Sequence, residues 1–281
     1  MSQHDNQETL EANRYVHSVL VETGEYQKSP HFRPENIAKV RDLILTLTAD
    51  IESVDSRAID FGCGTGFMID LMKDRFGEIH GVDITQAMMK EVDLSTGNVF
   101  LHEAMAEHTP FADEYFDFAT AYSFMDHLFD AHLFLKEVHR VLKPGGVFFA
   151  GLNPNRDFIQ AMEQAKRAAI TGLPQIVTRE IKGALHNGEY YAENFGVDGS
   201  MLDKAEPIKA VQKGFDAKEV HDLAISIGFS ACRIDYNWFL GQAMVMHEKS
   251  FELADQIHLY LTSALPVASP LFKYLNFILT K

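Results

Sequence analysis

Ala58-Ile59-Asp60-Phe61-Gly62-Cys63-Gly64-Thr65-Gly66 decides how this chain is read. A short apolar run ends in three alternating glycines. The next residues, Phe67 to Arg75, put Met68, Leu71 and Met72 on one helical face. The pattern predicts a strand, a tight turn and a helix start. Glycines allow the turn and let a ligand approach the backbone. The free amides of a helix start suit a negative ligand group. The spacing is G-x-G-x-G and not the G-x-G-x-x-G of a dinucleotide site, and Asp60 precedes the glycines where such a site has an apolar residue.

Working outward, apolar runs and helical segments alternate. Strands are expected at 58–61, 78–83, 99–102, 116–122 and 147–151, with helices at 67–75, 85–92 and 131–142 between them. Such units imply a parallel sheet with right-handed crossovers and helices on both faces. The rhythm breaks after Asn153. It returns at Phe215 with a helix at 216–227 closed by Gly228, a strand at 229–240, a helix at 248–265 and a last strand at 272–280. Before the core, Leu10, Val16, Val19 and Leu20 have helical spacing. So do Ile37, Val40, Ile44 and Leu47 behind Pro34. The organisation is therefore a helical lid over 1–50, a core over 51–153 and 214–281, and an insertion over 154–213 expected to cap an acceptor.

The second predicted strand ends in Gly81-Val82-Asp83. An acid at that place can accept hydrogen bonds from two ribose hydroxyls.

These stretches resemble the motifs of class I S-adenosylmethionine-dependent methyltransferases. The resemblance is to the small-molecule type, with motifs like those of ubiquinone and menaquinone biosynthesis. Asp60-x-Gly62-Cys63-Gly64-Thr65-Gly66 is similar to the first motif and Gly81 to Met88 to the second. Thr109 to Asp117 is similar to the "LPF…FD" lead into strand four, and Arg140 to Gly146 to the "RxLKPGG" turn. All four stand in the right order within 57–153. The resemblance implies a Rossmann-like α/β fold: a seven-stranded, mostly parallel sheet with an antiparallel last strand. It implies S-adenosyl-L-methionine as cofactor. By position, Gly62, Cys63, Gly64 and Gly66 would line its methionine part, and Asp60 would stand near its amino group. Asp83 would hold the ribose, and Ile84 and Met88 would flank the adenine. Met105-Ala106 falls where the family often has an Asp. Met105 would pack on the ring through its sulfur, and the Ala106 backbone would meet a ring nitrogen.

The end of strand four, Tyr122-Ser123-Phe124-Met125-Asp126-His127, should face the transferred methyl. Transfer from a sulfonium needs alignment above all, and a base only where the acceptor carries a proton. His127 is the candidate base, and Asp126 reads as the N-cap of the next turn. Tyr15, Tyr190 and Tyr191 are candidate acceptor contacts beside His127. Tyr26, His31, Phe32 and Arg33 belong to the expected lid, which could also be a plain cover at a homodimer contact. His102, His108, His132 and His139 lack metal-ligand spacing, so no metal is expected.

Acids outnumber bases 40 to 25, a formal charge of −15. That field repels phosphate backbones, so a small-molecule acceptor is expected and not a nucleic acid. Cys63 and Cys232 are the only cysteines and are read as free thiols. The polar start is unlike a signal peptide, and no apolar run reaches the roughly 18–20 residues of a membrane span. A cytoplasmic protein is expected. Two rival readings stay open. One is a non-catalytic module that keeps the cofactor pocket. The other is a nicotinamide-dependent dehydrogenase.

Overall fold

Seven strands pair in the order β3-β2-β1-β4-β5-β7-β6 in the computed structural model. It describes residues 3–24, 32–52, 54–168, 172–185, 188–189, 192–193 and 196–281. The strands are β1 (Arg57–Phe61), β2 (Glu78–Asp83), β3 (Val99–Glu103), β4 (Phe116–Tyr122), β5 (Leu142–Pro154), β6 (Ala231–Phe239) and β7 (Phe272–Thr280). Neighbours among β1 to β5 are parallel, and β7 runs antiparallel to both β5 and β6. The strand order reverses at the β1/β4 boundary, and there the crossovers diverge and leave a crevice at the carboxyl edge.

The described helices are α1 (Gln3–Glu22), α2 (Pro34–Leu47), α3 (Phe67–Met72), α4 (Gln86–Met89), α5 (Ala131–Val141), α6 (Arg156–Arg167) and α7 (Gln175–Leu185). They continue with α8 (Gly199–Ala205), α9 (Pro207–Gln212), α10 (Ala217–Ile227), α11 (Gln242–Glu248) and α12 (Phe251–Ser263). On one face of the sheet, Phe134, Leu135 and Val138 of α5 pack with Val220 and Ala224 of α10. On the other, Val40 and Ile44 of α2 join Met68, Ile69 and Met72 of α3. Each such buried side chain contributes about 1.5–3 kcal/mol. The second layer makes α2 a core helix, although 1–50 reads as one lid in sequence. Helix α1 joins neither layer. Its Ala12, Val16 and Leu20 pack on Val197, Leu202 and Ala205.

Several boundaries differ from the sequence reading. The helix expected at 248–265 is α12, Phe251–Ser263, and a separate helix, α11, precedes it. Ser250 accepts a hydrogen bond from the Leu253 amide and starts α12 afresh after α11 ends at Glu248. The Lys143–Gly146 turn lies inside β5, whose pairing with β4 shifts register between Phe116 and Phe118. Gly145, at φ +78°, donates to the Lys281 carbonyl, and the Lys281 amide donates to Gly146, which ties the irregular stretch to the chain end. The insertion leaves and rejoins the core at one point: the Phe215 amide donates to Pro154 O at 2.8 Å, and the Arg156 amide to Phe215 O at 2.9 Å. A Cβ on Gly214 would stand 2.5 Å from Pro154 O, so this closure needs glycine.

Candidate functional site

The glycine turn is built from backbone donors. The Gly62 and Cys63 amides donate to Val82 O at 2.8 and 3.0 Å. The Gly64 amide donates to Asp83 Oδ2 at 2.9 Å, and the Thr85 amide to Asp83 Oδ1 at 2.7 Å. The bend at 62–66 and the acid at 83 are thus in direct contact. Each Asp83 oxygen keeps acceptor capacity for a ligand. Burial raises the Asp83 carboxyl, and the two backbone amides oppose that rise.

An open but narrow cavity lies over this contact. Gly62, Gly64, Asp83, Ile84 and Met88 line one side, and Met105 and Ala106 another. Three residues named with them stand elsewhere. Asp60 is 2% exposed and lies beneath the turn, where it accepts a hydrogen bond from Thr120 Oγ1 at 2.7 Å. Burial pushes its carboxyl up to about 8 against that bond. Cys63 is buried in the core beside Gly81, and burial pushes its thiol up. Gly66 starts α3 at φ +93°, and a Cβ there would press on Val92.

Helix α1 roofs the cavity with Thr9, Leu10, Asn13 and His17. Arg14 Nε anchors it by donating to Ile84 O at 3.1 Å. Tyr15 lies on the opposite side of that helix, 48% exposed, and lines neither this cavity nor the larger one described below. Tyr26, His31, His186, Tyr190 and Tyr191 lie outside the described residues.

His127 lines the cavity from the turn after β4. Its Nδ1 is 3.0 Å from Ala205 O. A carbonyl only accepts, so Nδ1 carries the proton and Nε2 is the basic nitrogen of the neutral ring. The nearest Asp126 oxygen is 3.9 Å from Nε2, too far for a hydrogen bond. His17 stacks edge-on at 4.9 Å between ring centroids. Burial, and then the neighbouring His127, lower His17 to about 3, so its ring is neutral.

Asp126 is not an N-cap. The cap of α5 is Asp130, which accepts from the His132 and Leu133 amides. Asp126 is buried beside the half-buried His127 and Glu206, their ligand atoms within 4.8 Å of one another. A cation already serves this group: Lys209 Nζ donates to Glu206 Oε2 at 2.6 Å.

A second, larger cavity of about 640 Å³ opens beyond β4, between the ends of β5, β6 and β7 and helices α2, α7 and α11. Tyr122 lines this one and not the first, and packs on Phe67 at 5.2 Å. Ser123 lines both. Arg33 of the expected lid lines the larger cavity, and Phe32 packs on Phe67 at 5.5 Å.

A methyltransferase domain model matches residues 59–150, which hold β1 to β5 except for the outer ends of β1 and β5. Residues 59–150 thus carry a methyltransferase domain. Over 98 residues it is 39% identical to a demethylmenaquinone methyltransferase of Staphylococcus aureus, covering 33% of this chain and 41% of that one. Over 132 residues it is 29% identical to the mitochondrial arginine hydroxylase NDUFAF5 of Rattus norvegicus, covering 46% of this chain and 36% of that one. The chain thus matches less than half the length of these relatives. A solved methyltransferase from Thermotoga maritima shares the fold at TM-score 0.51 and 17% identity, covering 95% of this chain and 99% of that one.

Around this methyltransferase domain, sequence reasoning missed the roof of the pocket. Thr9, Asn13 and His17 recur every four residues, a polar stripe on a helix whose Ala12 and Val16 are core. That stripe was a readable signal. Glu107 was missed as well. It lines the pocket two residues after Met105, and burial raises its carboxyl.

Proposed function

We propose that this chain transfers a methyl group from S-adenosylmethionine to a small-molecule acceptor. The carrying observation is the Gly64–Asp83 contact at 2.9 Å, at the floor of a cavity that meets a larger one at Ser123. The donor set fits an adenosyl nucleoside. Asp83 can accept from ribose hydroxyls, and Ile84, Met88 and Met105 offer apolar surface to a base. Gly62 and Gly64 leave backbone free of side chains. The cofactor supplies a methyl group already activated on a sulfonium. The protein then has to hold acceptor and methyl in line and exclude water.

Helix α1 serves as the water-excluding roof over the first cavity, and the larger cavity seats the acceptor. His127 is the base for an acceptor that carries a proton, because its Nδ1–H is committed to Ala205 and leaves Nε2 free to accept. Among the described residues no helix is long and apolar enough to cross a membrane. We assign the protein to the cytoplasm, a compartment that suits its free thiols Cys63 and Cys232.

Calorimetry with S-adenosylmethionine, S-adenosylhomocysteine and NADH tests the reading. Saturable binding of both adenosyl ligands without NADH is expected. Binding of NADH alone, or of none of the three, overturns it. Release of S-adenosylhomocysteine across a panel of acceptors then separates an enzyme from a silent binding module.

A further inference from the structure

The larger cavity has a charge character at odds with the rest of the chain. The protein carries 40 acids against 25 bases, yet Arg33, Lys39, Arg179 and Lys273 line this cavity against only Glu180 and Asp235. Asp235 pairs with Arg233 at 3.2 Å. Glu180 Oε2 accepts from the neutral Gly241 amide at 2.8 Å, and its buried Oε1 has no hydrogen-bond partner among the described residues, so Glu180 offsets one of these cations. Lys39 pairs with Asp255 at 3.3 Å. The other three cations have no carboxylate partner among the described residues. Arg33 meets only the His247 ring, at 3.3 Å. Lys273 stands over the Tyr274 ring at 5.0 Å. Arg179 makes no hydrogen bond or ion pair with a described residue.

Unpaired cations in a concave site of a strongly acidic protein focus a positive potential there and raise the local concentration of anions. Tyr122, Tyr236, Trp238 and Tyr274 line the same cavity, with rings that suit an apolar or planar body. The backbone supports a functional reading. Of the five described non-glycine residues at positive φ, three line this cavity: Ser123 at +52°, Leu152 at +59° and Trp238 at +61°. Such conformations persist where the surrounding structure imposes them, and they cluster at ligand sites.

We infer that the methyl acceptor is an anion: a carboxylate or phosphate carried on an apolar, ring-bearing body, with its charge held by Arg33, Arg179 and Lys273. This rests on the proposed function only for the word acceptor, since the ligand preference of the cavity can be measured without cofactor. A cationic amine is the reading it excludes. The aromatic walls alone would suit an ammonium, but the facing charges repel one.

Trp238 is the single tryptophan of the chain and lines the cavity, so its fluorescence reports occupancy directly. The full chain is titrated with benzoate, phenyl phosphate, benzyl alcohol and benzylamine, which share a ring and differ in charge. Saturable quenching is expected for the anions, with dissociation constants about tenfold below that of the alcohol, and none for the amine. The tighter of benzoate and phenyl phosphate identifies the anionic group. In Arg179→Gln/Lys273→Gln the preference should vanish while calorimetric affinity for S-adenosylhomocysteine stays unchanged. Equal affinity for anion and alcohol, tighter binding of the amine, or no saturation by any probe overturns the inference. Those outcomes with intact S-adenosylhomocysteine binding leave the proposed function standing. Anion preference without S-adenosylhomocysteine binding does the reverse.

Discussion

The ring of Phe124 lies against Gly62, so close that a Cβ built on the glycine would fall 2.0 Å from the Phe124 Cδ2 atom. Gly62 also sits at φ +67°. Two requirements for glycine therefore meet at the first residue of the turn. Gly62→Ala should lose roughly 1–2 kcal/mol to the left-handed backbone and more to the clash. Phe124→Ala removes the clash partner, so the double variant should be more stable than the sum of the two single losses predicts. A double-mutant cycle by denaturant unfolding measures this, and simple additivity would show that the ring moves aside freely.

Asp83 has two jobs. Its oxygens take the Gly64 and Thr85 amides, and they also face the cavity. The structure ties that side chain to the turn as well as to the cavity. Asp83→Asn is the cleaner probe, because its single oxygen can replace only one of the two acceptors. Affinity for S-adenosylhomocysteine should fall by about 1.5–3 kcal/mol and the unfolding midpoint should drop with it. Unchanged affinity would remove Asp83 from the ribose.

His17 and Asp60 give pH dependences of opposite sign. His17 is lowered from an ordinary 6.5 to about 3 in the folded chain, because burial and then the neighbouring His127 disfavour its cation. Below pH 6.5 the unfolded chain therefore binds more protons. The stability tied to His17 is full above that pH and is lost as pH falls toward 3. Asp60 is raised from 3.8 to about 8 by burial. The folded chain keeps its proton between those values, so that contribution is full below 3.8 and lost as pH rises through 8. Melting temperatures from pH 4 to 8 should show wild type losing ground to His17→Gln on the acid side and to Asp60→Asn on the alkaline side. Parallel curves for all three proteins would contradict both assignments.

Glu137 and Arg140 fasten the stretch between β3 and β4. Glu137 Oε1 accepts from the Thr109 amide and hydroxyl at 2.7 and 2.5 Å, and both its oxygens accept from the Arg140 guanidinium. Arg140 Nη1 donates on to Phe111 O and to Asp113, each at 2.7 Å. Glu137→Gln leaves this hub without its charge and should destabilise the protein by roughly 1.5–3 kcal/mol. Urea unfolding reads this, and a loss below the scatter of surface substitutions would demote the hub to an exposed ion pair.

His127 offers a test of the chemistry. His127→Ala should slow methyl transfer to an acceptor that carries a proton, while S-adenosylhomocysteine affinity, read by calorimetry, changes far less. An unaltered rate would remove the base.

The sequence alone determined the sheet, the glycine turn and the acid at 83. Strand and helix periods follow from side chains a few residues apart, and the Gly62–Gly66 bend is set by residues that tolerate positive φ. It also carried the four motifs that mark a methyltransferase. It could not tell which polar residues face a cavity, because that depends on how remote elements cross. Asp60 reads as a ligand and lies beneath the turn on Thr120, while Tyr122 turns to the larger cavity and Tyr15 to solvent. Thr9, Asn13 and His17 become a roof only when α1 packs on α8 and lies over β2 and β4. The positive lining of the larger cavity was equally hidden. Arg33, Arg179 and Lys273 come from three distant segments of an acidic chain, and only the folded arrangement of α2, α7 and β7 sets them around one space.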